Sequence, residues 1–209
     1  MDVARKPGSS SHWRKQESRD IFVDRAARQN LRSRAYFKLE QIQTKEKILK
    51  RGYRCVDLGA TPGGWSQFAI ERVGSNGKVW ALDLSPMQPL AGVTFILGDF
   101  TSDPIRESLL ASMGEERVDL VMSDMAPNIT GNRAVDQPRM ISLAEDAMVF
   151  SEEALRQGGS FLVKLFQGEG FEDYVALVRT RFGRVKLIKP QASRSDSREM
   201  YLLAGNYGM

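Results

Sequence analysis

From Val56 to Trp65 the chain reads VDLGATPGGW, an apolar strand that passes directly into a glycine-rich turn and the start of a helix. No other stretch restricts the possible folds as strongly. Glycine lacks the Cβ that would clash in so tight a bend, which is why Gly59, Gly63 and Gly64 suit it. The helix start that follows presents free N–H groups to an anionic or carboxylate-bearing ligand. The spacing departs from the G-x-G-x-x-G of dinucleotide-binding turns, so the turn points to a nucleoside cofactor of another kind.

The pattern around this turn alternates short apolar runs with longer amphipathic ones. Strands are predicted over 53–58, 78–83, 93–97, 118–123, 159–165, 184–189 and 199–204, and helices over 64–73, 103–112, 138–157 and 170–182. Asp136 and Pro138 mark the start of the 138–157 helix, and Gly158 and Gly159 its end. Such alternation implies βαβ units: an α/β fold with a mostly parallel sheet and helices on both faces. Only a polar loop separates the last two strands, so the final strand is expected to be antiparallel. Ahead of the sheet, Ile21, Phe22, Ala26, Leu31, Ala35, Leu39 and Ile42 recur at helical spacing, giving one or two helices over 18–43. The first ten residues read as disordered. Residues 1–50 thus form a basic N-terminal extension, helical from about residue 18, and residues 51–209 a single sheet domain.

Composition removes several classes of chemistry. The only cysteine, Cys55, lies in the first strand and reads as a small core residue, so there is no internal disulfide framework. The only histidine, His12, lies in the polar N-terminal stretch, which leaves little room for Ser–His–Asp catalysis or a histidine metal site. No apolar run approaches the roughly 20 residues of a membrane span. The start, MDVARKPGSSSHWRK, has no apolar segment of the secretory kind; its Arg and Ser content leaves a short organellar presequence open. Net charge is +4, and residues 1–34 alone carry nine Lys/Arg against four acids. A second basic stretch, Arg179 to Arg198, holds seven Lys/Arg against Asp196. Charge runs are usually solvated faces, but two of them flanking a neutral domain suit a polyanion. Trp13, Phe22, Tyr36 and Phe37, interleaved with the first run, could stack bases or simply pack.

In open α/β sheets ligands bind beyond the carboxyl ends of the strands. Read in order, those ends present the glycine turn, then Asp83 in ALDLSPM, Asp99 in LGDF, Asp124 in SDMAPN and Lys164 in VKLFQGEGF. An acid about 20 residues beyond the turn, as Asp83 is, can accept from ribose hydroxyls. Any one such acid is more often a cap or turn former; polar groups at successive strand ends argue for a site. Trp65 is either core or a wall of that site. Lys164 is either a snorkelling or ion-paired lysine, or a base whose pKa burial and a second cation lower from about 10.4.

Together VDLGATPGGW, DLSPM, SDMAPN, VKLFQGEGF and KPQASRSDSREMY, with LRSRAYFKL ahead of them, resemble the FtsJ/RrmJ family of S-adenosylmethionine-dependent ribosomal RNA 2′-O-methyltransferases. The resemblance spans nearly the whole chain and is closest to the bacterial branch acting on large-subunit ribosomal RNA. Thr61 stands where the family usually has alanine before Pro62. The resemblance implies a Rossmann-like class I methyltransferase domain over 51–209, with seven strands. It implies a catalytic Lys–Asp–Lys–Glu tetrad at Lys38, Asp124, Lys164 and Glu199, with Lys164 as general base. S-adenosyl-L-methionine would lie against Gly59, Gly63, Gly64, Trp65, Asp83, Asp99 and Asp124, and no metal is required. The expected substrate is a ribose, of uridine, in large-subunit ribosomal RNA within the assembled or assembling subunit. Arg32, Arg34, Lys38 and Arg194 would contact the RNA. A monomer in the bacterial cytoplasm, not attached to a membrane, is expected. An amino-methyltransferase would prefer Asp/Asn-Pro-Pro-aromatic where this chain reads Asp124–Met125–Ala126–Pro127, and a purely RNA-binding factor would not need the tetrad.

Overall fold

A computed structural model of the chain describes residues 21–194 and 197–209. His12, Trp13 and the disorder expected of the first ten residues therefore fall outside the described residues. Two helices precede the sheet: α1 over 21–28 and α2 (Ala35–Glu46). They are separate because the chain turns at Asn30, which adopts φ 54°, a left-handed conformation that asparagine tolerates. The remaining elements follow as β1 (Arg54–Leu58), α3 (Gly64–Val73), β2 (Lys78–Asp83), β3 (Val93–Leu97), α4 (Asp103–Met113), β4 (Val118–Ser123), α5 (Arg133–Ala154), β5 (Leu155–Phe166), α6 (Phe171–Arg179), β6 (Phe182–Ile188) and β7 (Glu199–Tyr207).

The strands form one seven-stranded sheet in the order β3-β2-β1-β4-β5-β7-β6. The first five strands run parallel, and β7 inserts antiparallel between β5 and β6. The absence of a helix between β6 and β7 dictates this, since a parallel return would need a crossover. Strand residues alternate between two buried clusters. Val56, Trp80, Val121, Phe161 and Val163 pack beneath α4, α5 and α6. Cys55, Val79, Leu120, Met122 and Leu162 pack beneath α2 and α3. Burial on both faces explains why these strands read as continuous apolar runs.

Three positions on the α2/α3 face break that rule, Asp57 in β1, Lys164 in β5 and Glu199 in β7, and all are buried. The basic N-terminal extension is not peripheral either. Phe37, Leu39 and Ile42 of α2 are fully buried, and Tyr36 meets Phe68 edge-on at 4.9 Å. Tyr36, Phe37 and the partly buried Phe22 thus pack into the core and do not present stacking faces. Among the described residues no helix is long and apolar enough to cross a membrane.

Helix α5 departs most from expectation. It begins at Arg133, with Asn132 Oδ1 accepting from the Ala134 amide at 3.1 Å, and it absorbs Pro138 in its interior. Asp136 does not cap the helix; it folds back to accept from the Thr130 amide, the Thr130 hydroxyl and the Gly131 amide. The loop after β4 is fixed in this way. At its other end α5 stops at Ala154, and β5 runs on through Gly158 and Gly159, with an irregular register against β4 between Val118 and Leu120.

Gly59 ends β1 at φ 77°, and a Cβ there would lie 2.9 Å from the Met125 amide nitrogen. Left-handed strain and backbone overlap act together at this position. Gly59→Ala is expected to destabilise the fold by about 2–5 kcal/mol, read as a lower midpoint in urea unfolding.

Candidate active site

Two clefts open at the carboxyl ends of the strands. The first, of about 260 Å³, is lined by Gly59, Thr61, Asp83, Leu84, Asp99 and Asp124, among others. Asp83 ends β2 and accepts from the Thr61 amide at 2.9 Å and the Ser85 amide at 2.8 Å, joining the glycine turn to the loop after β2. The Thr61 hydroxyl adds a bond to the Ser85 carbonyl at 2.8 Å, so the threonine that replaces alanine tightens the same junction. Asp99 is exposed, and its Oδ1 accepts from the Thr101 hydroxyl and amide, which lowers its pKa from the ordinary value. Leu84, 69% exposed, offers an apolar surface in this cleft.

Gly63, Gly64 and Trp65 are placed differently. A Cβ on Gly64 would overlap the Ser33 hydroxyl, so that glycine admits the segment before α2. Trp65 is 2% exposed; its indole N–H donates to the Ala35 carbonyl at 2.9 Å and its ring packs 5.6 Å from that of Tyr201. Its side chain lies in the core under α2, the first of the two readings its sequence position allowed.

The second cleft, of about 490 Å³, is lined by Arg34, Lys38, Lys164, Arg194, Ser197 and Glu199, with Ala126 common to both clefts. Strand register assembles it. In the antiparallel β5–β7 pair Lys164 stands opposite Tyr201, and Phe166 opposite Glu199. Alternation puts Lys164, Glu199 and Tyr201 on the α2 side, where Lys38 of α2 reaches them. Lys38 Nζ lies 2.9 Å from Glu199 Oε1 and 3.0 Å from Oε2, and donates to Tyr201 Oη at 3.1 Å. Tyr201 Oη donates to Asp124 Oδ1 at 2.7 Å. Lys164 Nζ pairs with the same Oδ1 at 3.1 Å and also donates to the Asp124 carbonyl. Ser193 Oγ donates to Glu199 Oε1 at 2.7 Å, which holds the outer end of the chain.

All four residues expected to act together are therefore in one connected network. Burial pushes the Asp124 carboxyl up, but the ammonium groups of Lys164 and Lys38 and the Tyr201 hydroxyl outweigh it and hold its pKa below the ordinary value. Burial, then Asp124 and Glu199, raise the Tyr201 phenol well above its ordinary value, so it stays a proton donor to Asp124. Arg34 lines the cleft and donates to the Ala192 carbonyl at 2.5 Å. Arg32, expected to meet RNA, directs its guanidinium to backbone carbonyls of the glycine turn and the loop after β2, including Gln88 O at 2.6 Å.

Tyr201 was missed by sequence reasoning, although its position two residues beyond Glu199 on one face of β7 was a usable signal. Asp57 was missed too. It is fully buried, its Oδ2 accepts from the Ser66 hydroxyl at 2.6 Å, and its Oδ1 has no partner among the described residues. Burial raises its pKa to about 7; the Ser66 hydrogen bond opposes this, and Asp124 and Asp83 add to it. The folded protein then holds a proton that the unfolded chain releases at about pH 4, so stability falls from about pH 4 to pH 7 and stays lower above. Asp57→Asn is expected to raise the melting temperature at pH 8, with the gain vanishing near pH 4, as thermal unfolding at the two pH values would reveal.

A sheet of this order, with a glycine turn after β1 and acids beyond β2, β3 and β4, defines a Rossmann-like methyltransferase. Residues 31–207 match the FtsJ-like methyltransferase family, and the chain belongs to that family. A Plasmodium falciparum protein assigned as a ribosomal RNA methyltransferase is similar in structure, with a TM-score of 0.77 and 29% identity over 84% of this chain and 98% of that one. Human methyltransferase-like protein 13, solved in complex with SAH, shares the fold at a TM-score of 0.57 and 15% identity over 77% of this chain and 78% of that one. A Clostridium thermocellum protein assigned as an rRNA-methylase does so at a TM-score of 0.52 and 19% identity, over 80% of this chain and 96% of that one.

Proposed function

We propose that this methyltransferase modifies the ribose 2′-hydroxyl of ribosomal RNA, a uridine of the large subunit, with Lys164 as general base. The observation that carries the reading is the seating of the Lys164 amine between the Asp124 carboxylate and carbonyl, where the two clefts meet. S-adenosylmethionine is the methyl donor, and it supplies an electrophilic sulfonium methyl. The first cleft suits it: two carboxylates stand at its strand ends for the hydroxyl and amine donors of a nucleoside, with apolar Leu84 between them in the chain. The second cleft suits a nucleotide, with the cations of Lys38, Arg34 and Arg194 for its phosphates.

A ribose hydroxyl is a weak nucleophile and needs its proton removed as it attacks. Lys164 Nζ, in its neutral form, accepts that proton. Asp124 orients the amine and stabilises the ammonium that results. Tyr201 donates to the same carboxylate oxygen and helps to hold Asp124 in place. Lys38, clamped by both oxygens of Glu199, offers a fixed positive charge to the oxygen as negative charge develops on it.

The reading predicts that Lys164→Ala lowers methyl transfer by about 10²- to 10⁴-fold while donor binding survives. Labelled-cofactor transfer assays and calorimetry with SAH measure the two separately; near-normal turnover would remove Lys164 from the role of base. Arg194→Glu should weaken RNA binding at every sequence and reduce its salt dependence by about one counterion. Affinity measured across a salt series checks this. Comparing large subunits with naked RNA as acceptors identifies the form of the substrate.

A further inference from the structure

We propose that Arg32 is a positioning residue for the methyl-donor cleft, acting as a clamp between the glycine turn and the loop after β2, whose Thr61 and Leu84 line that cleft. This rests on reading the first cleft as the donor site. The guanidinium reaches across both segments: Nη1 donates to Gln88 O at 2.6 Å, Nη2 to Pro89 O at 2.7 Å, and Nη1 also approaches Pro62 O at 3.4 Å. The backbone is anchored as well, with the Arg32 amide donating to Gln67 Oε1 of α3 at 3.0 Å. Gly63 makes room for the clamp. It adopts φ 107°, and a Cβ there would lie 2.8 Å from Arg32 Cδ and 2.8 Å from Met87 Sδ. The second glycine of the turn therefore accommodates a protein side chain.

The loop held by the clamp needs it. Ser85, Pro86, Gln88 and Pro89 are exposed, and only Met87 is buried. Asp83 and Thr61 secure the near end of that loop through Ser85. No other side chain among the described residues is seen to hydrogen-bond Gln88 or Pro89, which leaves the far end to Arg32. Planarity matters here, because a rigid fork can meet carbonyls of consecutive residues together, whereas an ammonium on a flexible stem is a single mobile point. The geometry gives Arg32 a role on the donor side, in place of the RNA contact that its charge alone suggests.

The test uses Arg32→Met, which keeps the stem that packs on Gly63 and Met87, and Arg32→Lys, which keeps the charge. Both are expected to raise the donor KM and the calorimetric Kd for SAH by about tenfold, the loss of one charge-assisted hydrogen bond. RNA affinity and kcat at saturating donor should remain within about twofold of wild type, by the same conversion of a small free-energy change. A general loss of structure would instead lower kcat through the active fraction. Lost RNA affinity with unchanged donor affinity would make Arg32 a phosphate contact and overturn the proposal, as would full recovery in Arg32→Lys. Asp83→Ala, measured alongside, separates the two readings. Unchanged SAH affinity in that variant would refute the donor-site assignment itself, and the clamp with it; weakened affinity there with none in the Arg32 variants would refute the clamp alone.

Discussion

Asp124 Oδ1 accepts from Lys164 at 3.1 Å and from Tyr201 at 2.7 Å, while the same residue lines the cleft on the other side. One buried carboxylate thereby joins the two halves of the site. Through Tyr201 it is linked to Lys38 and Glu199, so two cations and two anions are balanced in a region where an unpaired charge would be costly. Removing any member leaves a partner exposed to that cost, and the network therefore has few stable alternative arrangements. Strand order makes it possible: β4 and β7 flank β5 on either side, bringing Asp124 and Tyr201 to the same lysine.

The N-terminal segment completes this arrangement from outside the sheet. Its residues 32–36 are bound to the glycine turn and α3 by Arg32, Ala35 and Tyr36, through Pro62 and Gln67, Trp65 and Glu71 respectively. The chain then enters α2 and delivers Lys38 to Glu199. Gly63 and Gly64 serve this docking as much as the turn, since side chains at either would strike Arg32 or Ser33. The two clefts are thus ordered by one short stretch of backbone.

The sheet was legible because its strands are buried on both faces. Predicted boundaries for β2, β3 and β4 coincide with those observed, and the short β6–β7 connection foretold an antiparallel final strand. Helix α5 was less legible. Pro138 resembles a helix start locally, yet packing of Met140, Ala144 and Ala147 against the core carries the helix through it. At the site, Asp124 and Lys164 could be read from strand ends alone, whereas Lys38 and Glu199 came from resemblance. Their pairing depends on how α2 lies over β7, and no local pattern encodes that. Tyr201 escaped because a tyrosine in an apolar strand reads as core, which it is, apart from its hydroxyl. The bonds of Arg32 were hidden for a similar reason: charge is visible in a sequence, whereas the carbonyls that bind it are not.

In the proposed function this network deprotonates a ribose hydroxyl. The most direct measurement is the chemical position of the methyl group after transfer from labelled S-adenosylmethionine to large-subunit ribosomal RNA. The account predicts that alkaline hydrolysis releases the label in an alkali-resistant dinucleotide, because a methylated 2′-oxygen cannot attack the adjoining phosphate. Label released as a methylated base within an ordinary mononucleotide would contradict it.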